Sequence, residues 1–137
     1  MNYHKIIEFI TQNPICTIAT MDKNQPHVRA FLTNIINNKI YFTTSLDKKV
    51  GQQINKNQKS ELCYLNSDFS IMLRITTTLD ILDNKDLKQH LIDTKPYLKY
   101  FTIDDPTFIL FTLSKSQAKF WRLEDNLKEK ELEVFEF

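Results

Sequence analysis

The reading turns on Val28-Arg29-Ala30-Phe31-Leu32-Thr33, then Ile40-Tyr41-Phe42-Thr43-Thr44-Ser45, then Asp47-Lys48-Lys49. The first two runs are rich in β-branched and aromatic residues, which suit a pleated, half-buried surface. In the first, period-two alternation sets Arg29, Phe31 and Thr33 on one face and Val28, Ala30 and Leu32 on the other. An arginine beside a phenylalanine on one face offers a charged fork and an apolar wall to the same ligand. The same pattern also fits an exposed strand face carrying one solvated arginine. Between the runs, Asn37-Asn38 is expected to form a tight hairpin turn. Asparagine tolerates the left-handed backbone region better than most residues, which matters here because Gly51 is the only glycine.

The second run ends in Thr43-Thr44-Ser45, and the spacing then predicts a helix over Asp47 to Lys56 with Val50 and Ile54 inward. Lys48 and Lys49 would stand at its start, where the positive end of the helix dipole makes cations unfavourable. An anion at that corner would explain them. Hydroxyls and free backbone N–H groups there would complete a phosphate-sized donor set. The alternative is a solvated charge pair with Asp47 as the helix cap.

Working outward, Ile6, Ile7, Phe9 and Ile10 recur at helical spacing over Tyr3 to Asn13, with Asn2 as cap and Pro14 as stop. A strand over Ile15 to Thr20 leads through a polar turn, Asp22 to Pro26, into a second strand over His27 to Ile36. Glu61 to Leu65 and Ile71 to Leu82 read as further strands. Asn84 is expected to cap a helix with Leu87, Leu91 and Ile92 on one face. Tyr97 to Phe101 is expected to add a turn after Pro96. Two last strands, Thr107 to Leu113 and Gln117 to Leu123, precede a C-terminal tail. Residues 1–137 thus read as one mainly β (α+β) domain, six or seven antiparallel strands closed into a barrel with short helices over its openings.

Composition bounds the function. Eighteen Lys and Arg against 17 Asp and Glu give a net charge of +1, so nothing calls for nucleic acid or an anionic membrane. No run approaches the roughly 20 apolar residues of a membrane span, and the N-terminus lacks the apolar core of a signal peptide, so a cytoplasmic location is expected. Cys16 and Cys63 lie in strand-like runs without metal or redox spacing. His4, His27 and His90 fall in different elements, so no metal site is expected. No serine sits in a nucleophile elbow.

The order of these elements resembles the pyridoxamine 5'-phosphate oxidase-like FMN-binding split-barrel superfamily, above all its short nitroimidazole-resistance (Nim)-type members. The resemblance rests on the Val28-Arg29 strand, the Ile40 to Thr44 strand, Lys48-Lys49 with Gln53-Ile54, the strand Met72 to Ile75, and Ala118-Lys119-Phe120-Trp121. It implies a six-stranded antiparallel split barrel of Greek-key type, a homodimer, and FMN in each of two clefts between subunits. Carried over by position, Arg29 and Lys49 would bind the phosphate, helped by Lys48 and the hydroxyls of Thr43 and Thr44. Phe42, on the same strand as those hydroxyls, would also belong to the cofactor-binding set. The backbone of Ala30, Phe31 and Leu32 would follow the ring edge, and Trp121 would sit near the partner subunit's flavin. The implied function is an FMN-dependent oxidoreductase acting on a small molecule, with no protein side chain as catalyst. A non-catalytic carrier of flavin, haem or deazaflavin is the alternative, and His27 is the one histidine near enough to serve a haem. The tail Glu131 to Phe137 lacks the Arg-x-His element of authentic pyridoxamine phosphate oxidases, which argues against vitamin B6 oxidation. Ile71 and Thr76 also replace the glutamine and the glycine common in the family.

Overall fold

In a computed structural model describing residues 1–137, Asn2 starts the first helix by accepting a hydrogen bond from the Lys5 N–H at 2.9 Å. That helix, α1 (Tyr3–Gln12), buries Ile6, Ile7 and Ile10. Strands β1 (Ile15–Asp22) and β2 (Gln25–Leu32) follow as a hairpin. A second hairpin joins β3 (Asn34–Ile36) to β4 (Lys39–Ser45). Its turn residues Asn37 and Asn38 have φ of 51° and 61°, the role expected of them in a chain short of glycine. Next come α2 (Lys49–Lys56), β5 (Lys59–Leu65), β6 (Ile71–Leu82), α3 (Lys85–Thr94), β7 (Phe108–Arg122) and β8 (Phe135–Glu136). Asn84 caps α3 through the Leu87 N–H at 3.0 Å.

Every strand pair is antiparallel, and the order across the sheet is β2-β1-β5-β6-β7-β4-β3, with β8 on the flank of β7. β7 returns between β6 and β4. The two outermost strands of this path, β2 and β3, are consecutive in sequence and joined through Thr33 alone. The sheet therefore curls into a barrel whose ladder stays open where β2 turns into β3. That is a split barrel with three short helices. Its core holds Ile6 and Ile10 of α1, Ile54 of α2, and Ile18, Phe42, Leu62, Leu73, Ile75 and Phe111 of the strands, all inaccessible to solvent.

The strand count is eight, against the six of the implied split barrel and the seven separate runs read from the sequence, from which two local changes add a strand and one removes a strand. The run His27 to Ile36 divides at Thr33, because its halves pair with different neighbours, β1 and β4. Polar bonds fill the crossing: the Thr33 and Tyr64 hydroxyls lie 2.8 Å apart, and the Asn34 amide donates to the Tyr97 hydroxyl at 3.2 Å. The two expected last strands are one 15-residue strand with a β-bulge. There the ladder shifts between Thr76 and Thr78, Lys115 takes φ 49°, and the buried hydroxyls of Thr77 and Ser116 meet at 2.7 Å. Finally, the tail supplies β8, and Phe137 exchanges backbone bonds with Ser116 at 2.7 and 2.9 Å.

Candidate functional site

The site grows from one arginine. Arg29, on β2, is half-buried, and its Nη1 donates to the Thr20 hydroxyl at 2.7 Å and to Gln53 Oε1 at 2.8 Å. The Thr20 hydroxyl in turn donates to Gln53 Oε1 at 2.6 Å. Thr20 on β1 and Gln53 on α2 are both buried. Both are neutral, so they orient the guanidinium without cancelling its charge. The ion pairs of the structure lie elsewhere, at Met1–Glu133 and at Arg74 with Glu61 and Glu129. A half-buried cation lacking a carboxylate carries a desolvation cost that an anionic ligand would offset.

The start of α2 adds to this charge. Asp47 does not cap it. The N-cap is Lys48, which makes no side-chain capping bond, and the first turn holds no acid. Asp47 instead donates its backbone N–H to the Ser45 hydroxyl at 3.1 Å. The first backbone N–H groups of α2 therefore lack a capping side chain. Gly51 explains how the helix reaches this corner. A Cβ there would stand 2.1 Å from the Ser45 carbonyl oxygen, so only glycine lets α2 close onto the end of β4.

These pieces line one cleft of about 500 Å³ at the split of the barrel, between β2, the end of β4, the start of α2 and the turn after α3. It brings together Arg29, Ala30, Phe31, Leu32, Thr43, Thr44, Lys48 and Lys49 from the sequence reading. To them the structure adds Ser45, Val50, Tyr97, Leu98 and Phe101. One end is cationic and hydroxyl-rich, and the rest is largely apolar. That division suits a flat, mostly apolar molecule bearing a phosphate. Phe42 lies outside the lining. Its side chain is wholly in the core, stacked on Phe111 and edge-on to Phe31. Trp121 is also away from the cleft of its own chain, paired with Met72 across the ladder and tilted 6.3 Å from Phe69. His27 faces a different hollow, behind α2.

Thr20 and the aromatic pair Tyr97 and Phe101 carried no sequence signal as site residues, since their roles depend on contacts between distant segments. Gln53, one helical turn after Lys49, stood in the resemblance without a role. The buried thiol of Cys16 gives no rival chemistry. Burial pushes its pKa up to about 11, the Tyr64 phenol beside it is pushed up as well, and both stay protonated at neutral pH. A second hollow of about 520 Å³, between α1 and the C-terminal tail, is lined by Glu8, Asp125, Glu131 and Glu133 against Lys5 and Arg122. That acidic surplus makes it the poorer host for a phosphate.

A family model described as pyridoxamine 5'-phosphate oxidase matches residues 4–99, from α1 to just beyond α3. The chain belongs to that family. Solved structures agree on the fold. A NimC/NimA family protein from Clostridium acetobutylicum superposes with a TM-score of 0.81 at 22% identity, covering 100% of this chain and 94% of that one. A protein from the same organism, related to general stress protein 26 and of the pyridoxinephosphate oxidase family, gives 0.70 at 22% identity over 98% and 94%. A general stress FMN/FAD binding protein from Xanthomonas citri gives 0.69 at 16% identity over 88% and 87%. No curated protein sequence matches the chain significantly. The stretch matching the family model contains Arg29, Lys48, Lys49 and Gln53 and stops short of Trp121. No helix of this family member is long and apolar enough to cross a membrane.

Proposed function

We propose that this family member binds FMN in the cleft at the split of its barrel, as a homodimer, and serves as an oxidoreductase for a small molecule. The observation that carries the reading is Arg29, a half-buried cation held by two neutral buried partners at the mouth of an apolar cleft. Arg29 and Lys49 would grip the phosphate, Lys48 and the hydroxyls of Thr43 and Thr44 would complete its donor set, and the backbone of Ala30 to Leu32 would edge the ring. When bound, FMN supplies hydride or electron transfer. The residues of the chain bind and orient, and the apolar wall excludes water. Residues 131–137, which lack an Arg-x-His element, supply a short edge strand, so vitamin B6 oxidation is not the activity proposed.

The outer sheet surface supports the dimer reading. Leu32 pairs with Ile15, Ile15 stands next in register to Leu65, Leu65 pairs with Met72, and Met72 pairs with Trp121. One apolar row thus crosses five strands. Ile15, Leu32 and Leu65 are exposed on it, and Val28 is exposed on the same face of β2 four residues from Leu32, although Arg74 and Glu61 form a polar pair in the same surface. Leu32 is at once the rim of the cleft and one end of the row. A second copy seated on this surface by two-fold symmetry would bring the Trp121 end of its row toward the Leu32 end here, roofing the cleft.

The test is the Arg29→Ala, Lys49→Ala double variant. Loss of charge-assisted bonds, about 1.5–3 kcal/mol each, should abolish FMN binding at micromolar protein while leaving the dimer intact. Unchanged FMN affinity would refute the phosphate site. Mixing photoreduced holoprotein with candidate acceptors separates enzyme from carrier, because a carrier reoxidises no faster than free FMN.

A further inference from the structure

The loop joining β5 to β6 holds an aromatic residue in a backbone conformation that aromatic residues avoid. Phe69 has φ 61°, whereas every other residue with positive φ is polar: Lys23, Asn37, Asn38 and Lys115. A bulky side chain in the left-handed region is strained, and such strain persists only where the surroundings fix it. Here hydrogen bonds do so. The Phe69 N–H donates to the Asn66 carbonyl at 3.2 Å and the Ile71 N–H to Asn66 Oδ1 at 2.9 Å. The Ser70 N–H donates to Asp68 Oδ1 at 3.0 Å, and the Asn66 amide to the Ser70 hydroxyl at 2.8 Å. Glycine or asparagine would make the same turn with less strain. The core does not need the ring, since Phe69 is 54% exposed. Its own chain offers it Trp121, tilted 46° with the ring centroids 6.3 Å apart. That single contact leaves much of the residue uncovered.

We propose that Phe69 of a second copy closes the apolar end of the cleft, so that each site is completed in trans. The proposal rests on the flavin and dimer readings above. Trp121 ends the apolar row, and Phe69 leans on it from the loop just beyond Leu65 and Met72. The two-fold pairing that brings the Trp121 end of one row to the Leu32 end of the other carries Phe69 to the same rim. Leu32 lies three residues along β2 from Arg29, toward the Ile15 end of the ladder, and three residues of strand span about 10 Å. A ring at that rim therefore meets the flat part of a ligand whose phosphate is held at Arg29, beside Phe31, Tyr97 and Phe101. Aromatic faces stack on such a ring without regard to its substituents. A turn locked by its own hydrogen bonds sets the ring in place before the ligand arrives, which lowers the entropy lost on binding.

Phe69→Asn keeps the turn and removes the ring. In fluorescence titrations of the full-length protein, FMN and riboflavin should both bind the variant about tenfold more weakly, the size of one stacking contact. Sedimentation should still show a dimer, and the ligand-free variant should melt at or above the wild-type temperature. A ring that only braces its own loop against Trp121 would give the reverse, a lower melting temperature with unchanged affinity, and would overturn the proposal. The contact in trans is read in heterodimers of Phe69→Asn with Arg29→Ala, Lys49→Ala, purified through two different tags. One cleft then combines an intact phosphate corner with Phe69 from the other copy, so one site per dimer should regain wild-type FMN affinity. A ring acting on its own cleft would leave no such site, and that result would also overturn the proposal. A monomeric wild type that binds FMN would do the same and leave the flavin reading standing. A wild type that binds neither flavin would remove both readings.

Discussion

Gln53→Glu replaces one atom group and should separate orientation from charge at the phosphate corner. The wild-type amide oxygen accepts from Arg29 at 2.8 Å and from Thr20 at 2.6 Å. A carboxylate of the same shape keeps both bonds but sets a negative charge against the guanidinium. Unit charges 4 Å apart attract by about 4 kcal/mol at an effective dielectric of 20, so the new pair would hold Arg29 firmly and leave it little attraction for a ligand. Losing one charge-assisted bond, about 1.5–3 kcal/mol, raises Kd by roughly 10- to 150-fold. Riboflavin lacks the phosphate and should bind the variant as it binds the wild type. The assay is fluorescence titration with both flavins, alongside thermal unfolding, where the variant should melt at or above the wild-type temperature. An unchanged ratio of FMN to riboflavin affinity in a folded variant would refute the claim that Gln53 is neutral for the sake of the bound anion.

Other outcomes follow from named contacts. Gly51→Ala forces a Cβ against the Ser45 carbonyl. The protein should lose about 1–3 kcal/mol of stability, read by denaturant unfolding, and FMN affinity should drop as α2 shifts; unchanged stability would mean the close approach is not real. Val28→Glu places a charge on the outer apolar surface, so sedimentation should show a folded monomer, while a persistent dimer would relocate the interface. Cys16 keeps its proton in the fold up to about pH 11 but only to near pH 9 when exposed. Its contribution is complete below pH 9 and lost as pH rises toward 11, on the order of 2–3 kcal/mol. Urea melts of the wild type should therefore weaken over that range more than those of Cys16→Ser, and parallel curves would contradict the burial of the thiol.

Local chemistry was legible in the sequence wherever a residue acts on its immediate neighbours. Asn2 and Asn84 cap helices, Asn37 and Asn38 turn a hairpin, and Val50 and Ile54 face inward, all as expected. Eight of the ten proposed site residues line one cleft, because they come from two short segments that the barrel lays side by side. Long-range contacts were not legible. Nothing near Thr20 announces that it meets Gln53, and Asp47 looked like a helix cap although the chain bends to make Lys48 the boundary. The strand His27 to Ile36 looked continuous because its composition is uniform. Only the pairing partners reveal the crossing at Thr33.

The bulge in β7 has a consequence for how that strand is spelled. Before Lys115 the inward side chains carry odd numbers, Ile109, Phe111 and Leu113. After it they carry even ones, Ala118 and Phe120, opposite Ile75 and Leu73. The shift in parity makes one strand look like two to any reader of alternation. It also makes Lys115 a supernumerary letter, for a chain without it would keep every other side chain of β7 on its present side. What such a deletion would cost is the bend, and with it the local geometry at the buried Ser116, whose backbone Phe137 fastens at the end of the chain.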